Sequence, residues 1–141
     1  MSDDTLRSID LTRIGEGRYK ATNGRGGVLP IGSGKDPDFT PVELLLAAIA
    51  GCCAIDVDLI TGKRAAALSF DVHAEGEKVR DGQGNHLTGL RVTFDLVFPD
   101  DEAGDAARAV LPRAMTQTRD RLCTVGRTIA IGEQIDYSTV D

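Results

Sequence analysis

Apolar and polar positions alternate loosely over residues 6–22 (Leu6, Ile9, Leu11, Ile14, then Tyr19), with Gly15-Glu16-Gly17 interrupting them. That pattern predicts a hairpin of two strands. Residues 23–39 are rich in glycine and include Pro30 and Pro37, so they read as a long connection with a short strand at Val28–Ile31. A strongly apolar run follows, with a clear helical start. Thr40 is an N-cap residue, Pro41 suits the first helical position, and Glu43 three residues after Thr40 completes a capping box. From Val42 to Ala50 the run is apolar on every face, which predicts a buried helix of about 20 residues ending near Gly62. Asp56 and Asp58 are expected to keep it short of a membrane span, which needs roughly 20 apolar residues.

Strict alternation then returns in residues 68–74 and, more regularly, in 90–98, with the turn-rich Asp81-Gly82-Gln83-Gly84-Asn85 between them. A helix is predicted from about Asp105 to Leu122, kinked or split by Pro112, and a final strand over 128–137 (Ile129, Ile131, Ile135, Tyr137). Strands, helix, strands, helix and strand in that order predict an α+β domain with antiparallel sheet. Residues 1–141 read as a single domain, and the polar residues 1–5 are expected to fray.

Composition narrows the function. A formal net charge of −6 and few aromatic residues (4%) argue against nucleic acid or an anionic membrane as partner. Nothing at the N-terminus resembles a signal peptide, so a reducing cytoplasm is expected. There, cysteine is more often catalytic, redox-active or metal-binding than part of a structural disulfide. Three cysteines are present: Cys52 and Cys53 in the apolar helix, and Cys123 70 residues after Cys53.

A zinc site wants about four ligands, usually in spaced pairs. Adjacent Cys52 and Cys53 with only His73 and His86 do not supply them. A cysteine hydrolase needs a histidine base, and neither histidine has a supporting context. Asn23-Gly24-Arg25-Gly26-Gly27 lacks the ending and spacing of a phosphate-binding loop. Thiol redox chemistry remains. Cys52 lies about 16 Å along its helix, too far from that helix's N-terminus for the dipole to act strongly. Burial would raise its pKa, so a cation is needed, with Arg25 and Arg127 as the candidates. Cys53, turned about 100° from Cys52, reads as a small core residue.

Thr40-Pro41-x-Glu43-Leu44-Leu45 leading to Cys52, followed much later by Leu122-Cys123-x-Val125, resembles the OsmC/Ohr family of osmotically inducible and organic hydroperoxide resistance proteins, in a divergent branch. The resemblance implies an intertwined α+β homodimer, its antiparallel sheets packed on a long buried central helix. It implies reduction of organic hydroperoxides with no bound metal or flavin. In that scheme Cys52 is peroxidatic and Cys123 resolving, an external lipoyl-type dithiol restores the thiols, and Arg25 and Glu43 hold the thiolate and the peroxide. Two positions depart from the family pattern. The family glutamate usually follows the proline directly, where Val42 stands here, and the proline common after the second cysteine is Thr124. Two other readings stay open: a catalytically weak dimer of the same fold that binds an apolar small molecule, and a redox sensor. An apolar pocket drawing on Met115 and Phe39 is expected beside Cys52.

Overall fold

The computed structural model describes residues 5–140, and its internal contacts gather into two units that divide between Leu45 and Leu46. Of the polar start expected to fray, residues 1–4 lie outside the described residues.

In the first unit, β1 (Asp10–Gly15) pairs antiparallel with β2 (Arg18–Thr22), Asp10 facing Thr22. The turn between them places Gly17 at φ +65°, a conformation open to glycine at little cost. The short strand β3 (Val28–Ile31) adds to β2 as an edge of the three-stranded sheet, where Pro30 is tolerated despite its missing N–H. Arg18 holds the connection that follows, through Asp38 at 2.9 Å and Asp36 at 3.4 Å. The predicted capping box forms in both directions. The Thr40 N–H donates to Glu43 Oε1 at 2.8 Å, and the Glu43 N–H donates to Thr40 Oγ1 at 3.2 Å.

The helix opened by this box, α1, runs over Pro41–Gly62 and carries the chain into the second unit. At 22 residues it is long and apolar enough, by length and composition alone, to cross a membrane, so Asp56 and Asp58 do not cut the apolar stretch as short as expected. Nor does its own chain bury it on every face. Ile49, Val57 and Thr61 are buried, while Ile55 and Leu59 are about two-thirds exposed (64% and 65%). The physical reason is a shortage of cover: one stripe of α1 is packed, and no described segment of the chain covers the opposite one.

In this second unit, β4 (Ser69–Asp81) and β5 (Gly84–Val97) form a long antiparallel hairpin, several residues longer at the turn end than the alternation predicts. Phe70, Val72 and Ala74 face Leu96, Phe94 and Val92 across the ladder and make one apolar side, with the Phe70 and Phe94 rings edge to face at 6.1 Å. Next comes α2 (Glu102–Gln117), capped by Asp101, whose side chain accepts the Gly104 N–H at 2.7 Å. Pro112 sits inside α2 without splitting it. The departure from α geometry comes later, in a π-helical turn over Thr118–Leu122.

The predicted final strand is instead a helix, α3 (Thr124–Ile131). Ile129 and Ile131 mimic strand alternation, but Cys123 caps the segment, Arg127 N–H bonds to the Cys123 carbonyl at 2.9 Å, and Gly132 ends it in the left-handed region. Residues 133–140 carry no regular structure.

The buried face of α2 is Gly104, Ala107, Val110 and Ala114, and its first turn touches the end of the hairpin closely. A Cβ on Gly104 would run into the backbone carbonyl of Pro99, which cannot swing aside as a side chain would. Gly104→Ala is therefore expected to destabilise the protein by about 1–3 kcal/mol or more, read as a lowered urea midpoint, while Ala103→Gly nearby changes it by less.

Candidate thiol site

The packed stripe of α1 is Ile49, Val57 and Thr61, and Cys53 falls on it, four residues from both Ile49 and Val57. That phase aims Cys53 inward. Its sulfur lies 3.5 Å from Sγ of Cys123, which is 1% exposed. All three cysteines are free thiols.

The π-helical turn delivers Cys123 to this point. The Cys123 N–H reaches back five residues to the Thr118 carbonyl at 3.0 Å, one residue further than an α-helix would. The buried Thr118 hydroxyl in turn donates to Asp56 Oδ2 at 2.9 Å, fastening the turn to α1 one helical turn beyond the cysteines. Cys123 then serves as the N-cap of α3, its sulfur accepting the Gly126 N–H at 3.2 Å. Gly126 is fitted to that contact, since a Cβ there would stand 3.3 Å from the Cys123 sulfur.

Cys52, half-buried on the neighbouring face, feels the same centre. Burial pushes its thiol above the usual range. The Val125 N–H pulls it back, the Cys123 thiol raises it further, and the Thr124 N–H again lowers it. The rise prevails, so Cys52 in this setting is protonated at neutral pH. The helix end that acts on Cys52 is the first turn of α3, not the distant start of α1. Cys53 and Cys52 thus flank one buried sulfur, and Cys53, expected to be a small core residue, makes the direct contact.

A cavity of about 440 Å³ opens beside the Cys53–Cys123 pair. Its walls are mostly apolar: Ile49 from α1, Val92 and Phe94 from β5, and Met115 from α2. The sequence reading expected Met115 in an apolar pocket beside Cys52, but Cys52 and Phe39 are not among the walls of this cavity. Arg119, which that reading passed over, also lines the cavity, its guanidinium paired with Asp120 at 2.7 Å. Its position four residues before Cys123, mirroring Arg127 four after, is the one signal that could have drawn attention to it. Among the described residues, no three His, Cys, Asp or Glu side chains gather where a metal ion could sit.

Of the other expected site residues, Arg25 lies exposed in the turn after β2, its backbone N–H bonded to Asn23 Oδ1 at 3.0 Å. Glu43 has its carboxylate engaged in the capping box. Both belong to the first unit, as does Phe39. Arg127 is exposed in α3.

An α+β chain with thiols on its longest helix, set against a buried helix-capping thiol beside an apolar cavity, defines a class of thiol-bearing proteins. The chain belongs to the OsmC-like family, whose family model matches residues 32–138. It is 30% identical to an uncharacterized protein of Mycobacterium tuberculosis strain H37Rv, over 96% of this chain and 98% of that protein. Solved structures share its fold. They include a hypothetical protein from Aquifex aeolicus (TM-score 0.71, 16% identity, 89% of this chain and 88% of that one). An OsmC-like protein from Mycoplasma pneumoniae (0.67, 16%, 90% and 89%) and one of unknown function from Vibrio cholerae (0.66, 15%, 79% and 78%) are likewise similar.

The Thr118–Asp56 hydrogen bond is expected to hold Cys123 in place. Thr118→Val should lower stability by about 1–3 kcal/mol in urea unfolding and slow disulfide formation at Cys123, followed by loss of free thiol during diamide treatment.

Proposed function

We propose that the protein is a cytoplasmic, thiol-dependent peroxidase for organic hydroperoxides. The observation that supports this most is the buried Cys123 sulfur flanked by two thiols of α1 beside an apolar cavity. In the proposed reaction the Cys52 thiolate attacks a peroxide oxygen. The O–O bond breaks, the alcohol leaves, and Cys52 becomes a sulfenic acid. The Cys123 sulfur then attacks Cys52, forming a disulfide and releasing water. An external lipoyl-type dithiol reduces the disulfide in two exchange steps. Alkyl groups gain from burial against Met115 and Phe94 where a second hydroxyl does not, which favours organic hydroperoxides over hydrogen peroxide.

Only the thiolate attacks, and burial holds Cys52 as a thiol, so a cation has to favour its ionised form. On the family resemblance that role goes to Arg25, with Glu43 orienting the peroxide. Arg25→Ala is then expected to move the pH profile of Cys52 alkylation to higher pH; an unchanged profile would remove Arg25 from the site.

The bare side of α1 supports a homodimer. Ile55 and Leu59 project from a helix too apolar to stay in water, and a second copy is the proposed cover. The Asp56–Thr118 bond ties α1 into its own chain, which supports a protein partner over a membrane for that face. Sedimentation should give a dimer, and Leu59→Glu a monomer with no activity.

The direct test treats reduced protein with one equivalent of cumene hydroperoxide and measures intact mass and free thiols. Loss of two hydrogens and two thiols is expected, with Cys52→Ser abolishing both and Cys123→Ser leaving a sulfenic acid. Unchanged thiols under excess peroxide would refute the reading. A second reading, a weakly catalytic binder of an apolar molecule or a one-shot redox sensor, is favoured by the raised Cys52 thiol. Many turnovers with dihydrolipoamide would exclude it.

A further inference from the structure

The peroxidase scheme uses two thiols, but the centre contains three. Resting on that scheme, we infer that Cys53 takes the disulfide over from Cys52, so that the oxidised centre rests as a Cys53–Cys123 bond with Cys52 returned as a free thiol.

The geometry carries this. Cys53 and Cys123 sulfurs stand 3.5 Å apart, so a movement of about 1.5 Å brings them to the S–S length of about 2.05 Å. Cys53 shares the packed stripe of α1 with Ile49 and Val57, so the helix need not rotate to close that gap. A bond between Cys52 and Cys53 themselves is disfavoured, because neighbouring helix residues project about 100° apart. Cys123 is therefore the sulfur through which the two α1 thiols exchange.

The step balances without an added oxidant. In the Cys52–Cys123 disulfide, the Cys53 thiolate attacks the Cys123 sulfur. The Cys53–Cys123 bond forms as the Cys52–Cys123 bond breaks, and Cys52 leaves as a thiolate that takes up the proton Cys53 gave up. The raised pKa of Cys52 keeps the released group as a thiol afterwards.

The exchange also moves the disulfide to where a reductant can meet it. Cys53 and Cys123 both line the cavity of about 440 Å³, whereas Cys52 is not among its walls. A dithiol entering the cavity attacks the Cys53 sulfur and expels Cys123. The leaving sulfur already accepts the Gly126 N–H at 3.2 Å and caps α3, so it returns to a place the fold holds for it.

Mass spectrometry of wild-type protein locates the bond. Reduced protein is oxidised in two arms, with one equivalent of diamide or of cumene hydroperoxide. Free thiols are trapped with N-ethylmaleimide at acid pH, and the peptides are fragmented between Cys52 and Cys53. The expected result in both arms is a label on Cys52 and a disulfide joining Cys53 to Cys123. In Cys53→Ser the disulfide should instead join Cys52 to Cys123. A label on Cys53 in the wild-type diamide arm, or a Cys52–Cys53 bond, overturns the inference, as does a Cys53→Ser protein that forms no disulfide with hydroperoxide while Cys52 becomes a sulfenic acid. If diamide gives the Cys53–Cys123 bond but hydroperoxide leaves all three thiols free, the resting disulfide stands and the peroxidase reading falls.

Discussion

Everything at the thiol centre depends on the rotational phase of α1. Once Ile49, Val57 and Thr61 are packed, Cys53 must point inward, Cys52 must stand beside it, and Asp56 must fall within reach of Thr118. The same phase leaves Ile55 and Leu59 bare on the other side. Burying a large aliphatic side chain contributes about 1.5–3 kcal/mol, so both halves of this division matter energetically. The packed stripe assembles the site, and the bare one creates a demand for cover that a single chain does not meet.

The second organising feature is the first turn of α3. An α-helix begins with N–H groups that lack intrahelical partners, and here they are shared between sulfurs. Gly126 donates to Cys123, while Val125 and Thr124 act on Cys52. Sulfur is a weak neutral acceptor but a good one when ionised, so the Val125 and Thr124 N–H groups favour the charged form of Cys52. For Cys52, burial outweighs them. A cation close by would act against that burial, because an opposite charge favours the ionised form.

Local chemistry was the most legible part of the sequence. The Thr40–Glu43 box, the glycine turn before β2, the short strand with Pro30 and the turn of the long hairpin all follow from signals within a few residues. The inward face of α1 was not legible, because a helix apolar on every side has no periodicity from which to read its phase. That is why Cys53 looks like core filler and its contact with Cys123 emerges only in three dimensions. The end of the chain misled for a related reason: Ile129 and Ile131 satisfy a strand's alternation, whereas the decisive helical signals are an unusual cysteine cap and Gly132. Arg119 went unnoticed because its nearness to the thiols comes from the π-helical turn, a geometry with no dependable sequence mark.

That turn has one more implication. A π-helical turn is what a helix forms when it absorbs one residue beyond α spacing. The direction in which Cys123 leaves α2 is thus set by how many residues lie between the Thr118 anchor and the α3 cap, more than by which residues they are. Side chains at Arg119, Asp120 and Arg121 can vary while the sulfur keeps its place. A chain shorter by one residue there would turn it by about 100° and remove it from both of its neighbours. The placement of Cys123 is therefore expected to tolerate substitution in this segment better than insertion or deletion.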